Sequence, residues 1–66
     1  MAVLKVIEVL ANSSKSWEDA TDKAVSQASK SVKGIRSVYL QEQSATVKDG
    51  KVDEYRVNVK ITFEVQ

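Results

Sequence analysis

Two side chains that small proteins use as staples are missing from this 66-residue chain: it has no cysteine and no histidine. Without cysteine there is no disulfide, and without either residue there is no ordinary structural zinc site. The same absences narrow the chemistry. Nucleophilic and general-base work would rest on carboxylates, Lys or Tyr alone, and nothing in the spacing places two carboxylates together in a pocket. The serines read as caps, turns and helix surface with no base beside them. An enzyme is not expected. An excess of one charge is lacking too: ten Lys and Arg are scattered among nine Asp and Glu for a net charge of +1, so no basic stripe argues for nucleic acid. No apolar run approaches a membrane span. Met1-Ala2-Val3-Leu4-Lys5 holds no signal-peptide core and leads straight into a strand pattern. The expectation is a cytoplasmic protein with neither nucleic-acid nor membrane partners.

What is present is ordinary for a folded domain: 42% hydrophobic and 29% charged residues. One domain spanning residues 1–66 is expected. A core of that size nets only about 3–5 kcal/mol. With no covalent or metal staple, association with further copies is the remaining source of support.

The clearest pattern lies at the C-terminal end, in YRVNVKITFEV. Tyr55, Val57, Val59, Ile61, Phe63 and Val65 point one way and Arg56, Asn58, Lys60, Thr62 and Glu64 the other, as a strand requires. Val3 to Leu10 reads as a first strand, followed by a polar break from Asn12 to Lys15. Ser16-Trp17-Glu18-Asp19 fits a capping box, with Asp19 reaching back to Ser16. A helix is predicted from there to about Lys33, with Gly34 just beyond. Its inward stripe is Trp17, Ala20, Ala24, Ala28 and Val32, flanked by Thr21, Val25 and Ser31. Most of these are small, so the helix can lie close to a sheet.

Ile35 to Lys48 and Lys51 to Val65 form the second and third strands. Asp49-Gly50 between them is a two-residue hairpin signal of type I′. A register without a bulge pairs Val38 with Ile61, Leu40 with Val59, Ser37 with Thr62, Tyr39 with Lys60 and Gln43 with Arg56. The fold class is α+β, β-α-β-β, with a three-stranded antiparallel sheet in the order 1-3-2. That order makes every neighbour antiparallel and centres the most regular strand. The third strand should run on the order of 40 Å and the helix only ~26 Å, so the hairpin tip overhangs. Ala45, Val47 and Val52 fall on the otherwise polar face of that tip, which suggests contact with another copy.

With these elements in place, the whole chain resembles a dodecin. KVIEVLANSSKSWEDA, GIRSVYLQEQSATVKDGKVDEYRVNVKITFEV and the β-α-β-β order carry the resemblance. It implies a sheet wrapped around the helix and a homododecameric hollow sphere for small-ligand binding, storage or buffering. In many dodecins a flavin, FMN or riboflavin, stacks between subunits against a Trp on the second strand. A Gln on the third strand hydrogen-bonds it. Those positions match Ser37 and Arg56, so the usual flavin arrangement is altered. Ser37 offers no stacking surface. Tyr39, two residues along on the same face, is displaced by roughly 7 Å. Arg56 stacks or pairs with anions but lacks the amide's paired donor and acceptor.

The candidate ligand residues are therefore Ser37 as lining, Tyr39 for stacking, Gln43 for hydrogen bonding and Arg56 for anion contact. The SWE at the helix start and the Arg resemble a dodecin branch without the flavin site that is associated with calcium. Glu8, Glu18, Asp19, Asp22 and Glu54 are the candidate oxygen ligands, though no spacing among them matches a dedicated calcium loop. Each also has a plain structural role: helix first-turn acids for Glu18 and Asp19, a solvated helix residue for Asp22, sheet or interface ion-pair partners for Glu8 and Glu54. Outside this class stands an adaptor whose exposed strand edges pair with another protein.

Overall fold

Residues 2–65 are described by the computed structural model. Strand β1 (Leu4–Ser13) is followed by helix α1 (Trp17–Ala28), strand β2 (Ile35–Lys48) and strand β3 (Lys51–Glu64). β3 lies between the other two, antiparallel to both, in the order β1-β3-β2. The expected topology is the observed one, and the bounds of β2 agree with the sequence to the residue. At the tip, Asp49 and Gly50 have φ of 53° and 76°, both positive as a type I′ turn demands, and Lys48 pairs with Lys51 across it.

The core follows from the alternation of β3. Val57, Val59 and Ile61 are completely buried, and Ala20 and Ala24 of α1 lie directly on them. Ile7, Val9 and Ala11 of β1, Ile35 and Val38 of β2, and Trp17, Val25 and Ala28 of α1 close around that centre. The alanines do what their size predicts: without bulky side chains the helix axis sits near the sheet, so the β3 valines need no further layer. The described residues extend over 50 × 19 × 13 Å. The helix covers part of that length, and the β2–β3 hairpin projects past it.

Three expectations about element bounds and capping need correction. The helix ends at Ala28 rather than near Lys33. Ser29 Oγ donates to the Ser26 carbonyl, and the Lys30 and Ser31 amides turn to carbonyls three residues back. Serine side chains compete for helix carbonyls, and three-residue bonds tighten and close the last turn. Gly34 marks the approach to β2 instead, with φ of 77°, and its carbonyl accepts from the Glu64 amide. Second, β1 runs through the polar Asn12 and Ser13, which pair with Arg56 and Tyr55. The length of β3 offers hydrogen-bonding partners that the polarity of Asn12 and Ser13 does not cancel. Third, only the Ser16 half of the capping box forms. Its hydroxyl accepts from the Asp19 amide at 2.9 Å, while the Asp19 carboxylate accepts from Ser13.

The register is right in two stretches and slipped between them. Ser37, Val38, Tyr39 and Leu40 meet Thr62, Ile61, Lys60 and Val59 as expected. Shifts then occur between Leu40 and Glu42 and between Thr46 and Val47, so Gln43 pairs with Val57 and Ser44 with Arg56. The first shift inserts Gln41 into β2 and reverses which residues of β2 face the helix. Ala45 now pairs with Tyr55, a residue on the helix side. Val47 alternates with Ala45 and pairs with Val52. All three tip residues thus extend the helix-side face, and the outer-face placement expected for them does not hold. Val47 and Val52 remain exposed beyond the helix.

Candidate functional site

The face of the sheet turned away from α1 is assembled in cross-strand rows, because residues directly opposite one another share a face. Leu10, Asn58 and Glu42 make one row, and Asn12, Arg56 and Ser44 the next. On the other side of Leu10 come Glu8, Lys60 and Tyr39, then Val6, Thr62 and Ser37. The inserted Gln41 is what brings Glu42 and Ser44, rather than Gln43, into line with Asn58 and Arg56. An open cleft of about 400 Å³ lies here, lined by Leu10, Glu42, Gln43, Ser44, Arg56 and Asn58. That is within the size range of small-molecule sites.

A relay of side chains orients the arginine. Arg56 Nε donates to Asn12 Oδ1 at 3.0 Å, and Asn12 Nδ2 donates to Glu54 Oε1 at 3.2 Å. Fixing the guanidinium through Nε leaves its two terminal nitrogens without a hydrogen-bond partner among the described residues. Asn58 Oδ1 is buried and has no hydrogen-bond partner among the described residues. A buried acceptor left in this state is costly and calls for a donor. Trp17 supports the β2 wall from the opposite side of the sheet. Its Nε1 donates to the Ser44 carbonyl at 2.8 Å, and its ring meets Tyr55 edge-on, with centroids 5.0 Å apart.

Of the residues expected to hold a ligand, Arg56 and Gln43 border the cleft, but Gln43 pairs with the buried Val57 rather than with Arg56, so its side chain belongs to the helix-side face and the hydrogen-bonding role expected of it does not hold. Ser37 and Tyr39 lie on the same face as Arg56 but farther along it, and Tyr39 is exposed. Leu10, Glu42, Ser44 and Asn58 line it without having been singled out from the sequence. Leu10 carried a signal. Like Leu4 and Val6, it is an apolar residue out of phase with Ile7, Val9 and Ala11 in β1. Nothing in the run QEQS announces the bulge that brings Glu42 and Ser44 into place.

The candidate oxygen ligands are spread over the subunit. Glu8 sits opposite Lys60, Glu54 anchors Asn12, and Glu18 and Asp22 are exposed on α1. Asp19 accepts from Ser13 Oγ at 2.5 Å and pairs with Lys23 Nζ at 3.3 Å. Among the described residues no group of three carboxylates converges. The Ser13 hydroxyl holds the Asp19 carboxyl below its ordinary value of 3.8, with Lys23 and Lys15 assisting and partial burial opposing. A lowered folded-state value stabilises the ionised form. The contribution is complete above 3.8 and is lost as pH falls from there through the folded-state value. The stability difference between the natural chain and Asp19→Asn should therefore shrink as pH falls below about 4, as read by urea unfolding at several pH values. A difference that does not change with pH would show that ionisation of Asp19 contributes nothing.

A short chain that folds as β-α-β-β, leaves one sheet face open and carries a polar cleft on it has the make-up of a small ligand-binding module. The dodecin family model matches residues 3–66, and the chain belongs to that family. It is 35% identical over 66 residues to the calcium dodecin of Mycobacterium tuberculosis, covering 100% of this chain and 93% of that protein. The crystal structure of calcium dodecin from that organism, described as having a novel calcium-binding site, matches with a TM-score of 0.84 at 37% identity. The match spans 97% of this chain and 91% of that one. A dodecin from Streptomyces coelicolor matches with a TM-score of 0.94 at 23% identity, over 98% of this chain and 93% of its own. At that identity the likeness shows the fold. None of the helices among the described residues is long and apolar enough to cross a membrane.

Proposed function

We propose that the chain is the subunit of a homododecameric hollow sphere that binds a small ligand for storage or buffering, with the usual flavin-stacking site altered. The observation that carries this reading is the cleft on the open sheet face, where an arginine is held in position beside a buried acceptor without a partner. Arg56 supplies anion contact, while Ser37 and Tyr39 lie where a ligand shared with a second subunit would extend. Assembly is supported by the apolar side chains that one copy leaves in water. Leu4, Val6 and Leu10 are 54%, 56% and 68% exposed on the outer face of β1, and Val47 is 69% exposed at the hairpin tip. A core as small as this one gains from covering them. The protein is a cytoplasmic binding protein and not an enzyme on this reading, and residues 1–66 are a single domain.

A second reading, a flavin-free shell that binds calcium, is favoured by the identity to calcium dodecin. Since Glu8, Glu18, Asp19, Asp22 and Glu54 are apart within one subunit, such a site would draw carboxylates from several copies around an axis.

Native mass spectrometry of the purified protein separates the two, run alone, with riboflavin or FMN, and with calcium. A twelve-subunit mass that gains flavin supports the first reading in its flavin form. A twelve-subunit mass that ignores flavin and retains calcium supports the second. A monomer or dimer overturns both shells and leaves the adaptor.

A further inference from the structure

Among the described residues the Glu42 carboxylate, Asn58 Oδ1 and the terminal nitrogens of Arg56 have no hydrogen-bond partners, and their arrangement specifies a ligand more narrowly than the cleft's volume does. Glu42 sits directly opposite Asn58, and Arg56 lies two residues from Asn58 on β3, all on the outer face. Glu42 and Arg56 are thus diagonal neighbours, with Cα atoms roughly 7–8 Å apart, within reach of two long side chains. Opposite charges so placed ordinarily meet. Here they do not: the ion pairs formed among the described residues are Lys23 with Asp19 and Arg36 with Glu64. Asn12 grips Arg56 by its Nε, and Glu54 anchors Asn12, which turns the guanidinium away from Glu42. Between the separated charges lies Asn58 Oδ1, buried and without a donor.

We propose that this cleft binds a small zwitterion, a molecule with an ammonium and a carboxylate a few bonds apart. The carboxylate accepts from the free terminal nitrogens of Arg56, the geometry that guanidinium groups favour. The ammonium has three donors, enough for Glu42 and Asn58 Oδ1 together. A simple anion would leave Glu42 repelling it and Asn58 unsatisfied. A simple cation would leave Arg56 idle. Leu10 borders the space with an apolar side chain that suits a short methylene chain. Asn12 is a positioning residue, because it keeps the two charges of the protein from collapsing on each other and so pre-organises the site. This inference rests on the reading that the cleft is the ligand site, and names the class of ligand.

The test uses the full chain in its native assembly, with 4-aminobutanoate as zwitterion and butanoate and butylammonium as its halves, by isothermal titration calorimetry. The zwitterion should bind at least about tenfold more tightly than either half, since it makes one more charge-assisted contact. Glu42→Gln and Arg56→Gln should each remove that advantage, while native mass shows the assembly unchanged. Asn12→Ala should remove it too. A merely structural role for Asn12 would not distinguish zwitterion from halves. Butanoate binding as tightly as 4-aminobutanoate would overturn the proposal in favour of an anion site. If Glu42→Gln or Arg56→Gln instead breaks the assembly, the two charges serve contacts between copies and the proposal fails. An assembly that takes up flavin or calcium but none of the three probes overturns the zwitterion and leaves the shell reading standing. Zwitterion binding by a monomer does the reverse.

Discussion

Ile61→Ala is expected to leave the chain unable to hold its fold at low subunit concentration. Ile61 is completely buried and sits in the middle row of the sheet, between Ile7 of β1 and Val38 of β2. Removing the branched side chain there loses the transfer free energy of its carbons and opens a cavity under α1. Ala20 and Ala24 have no flexible side chains with which to fill it. Such truncations cost about 2–5 kcal/mol, against the ~3–5 kcal/mol that a core of this size supplies. The two ranges overlap, so this one change removes much of the stability. Ile61→Val, at about 0.5–1.5 kcal/mol, should remain folded. Urea unfolding followed by far-UV circular dichroism, at one fixed subunit concentration, reads both variants. An Ile61→Ala protein with the natural midpoint would show that assembly, not this core, holds the subunit together.

The second large effect concerns Trp17. Trp17→Ala should cost about 3 kcal/mol, because the indole is the one bulky side chain α1 places against the sheet. It spans from the helix start to β2 and Tyr55. Trp17→Phe keeps an aromatic ring beside Tyr55 but removes the Nε1 donor to the Ser44 carbonyl, a loss of about 1 kcal/mol for the hydrogen bond, together with part of the indole's contact area. The two variants therefore separate packing from tethering. Hydrogen exchange of the β2 amides around Ser44 should accelerate in both. If Phe is as damaging as Ala, the hydrogen bond rather than the ring organises this corner. If neither accelerates exchange, β2 is held by β3 alone.

Legibility varied along the chain for physical reasons. The hairpin and β3 were readable because a period of two and an Asp-Gly pair are local signals, and the order of strands followed from requiring antiparallel neighbours. The helix start was readable from Ser16. Its end was not, since Ser26, Ser29 and Ser31 can continue a helix or divert its carbonyls, and tertiary packing decides. The insertion at Gln41 was invisible, because bulges need no Gly or Pro and answer to twist across the whole sheet. That single residue moved the site: Arg56 was found, Glu42 and Ser44 were brought in and Gln43 turned away by a register slip, and Asn58, on the same face of β3 as Arg56, was passed over.

One pairing bears on how the molecule could be decorated. Leu4 lies opposite Glu64, and the Val65 amide donates to the Val3 carbonyl at 2.8 Å. Both ends of the described chain therefore leave from a single point at the same end of the sheet. A peptide or fluorophore grafted before residue 3 and one grafted after residue 65 would stand side by side. In a closed assembly of identical copies, a passenger would emerge at the same address whichever end carried it, repeated once per subunit.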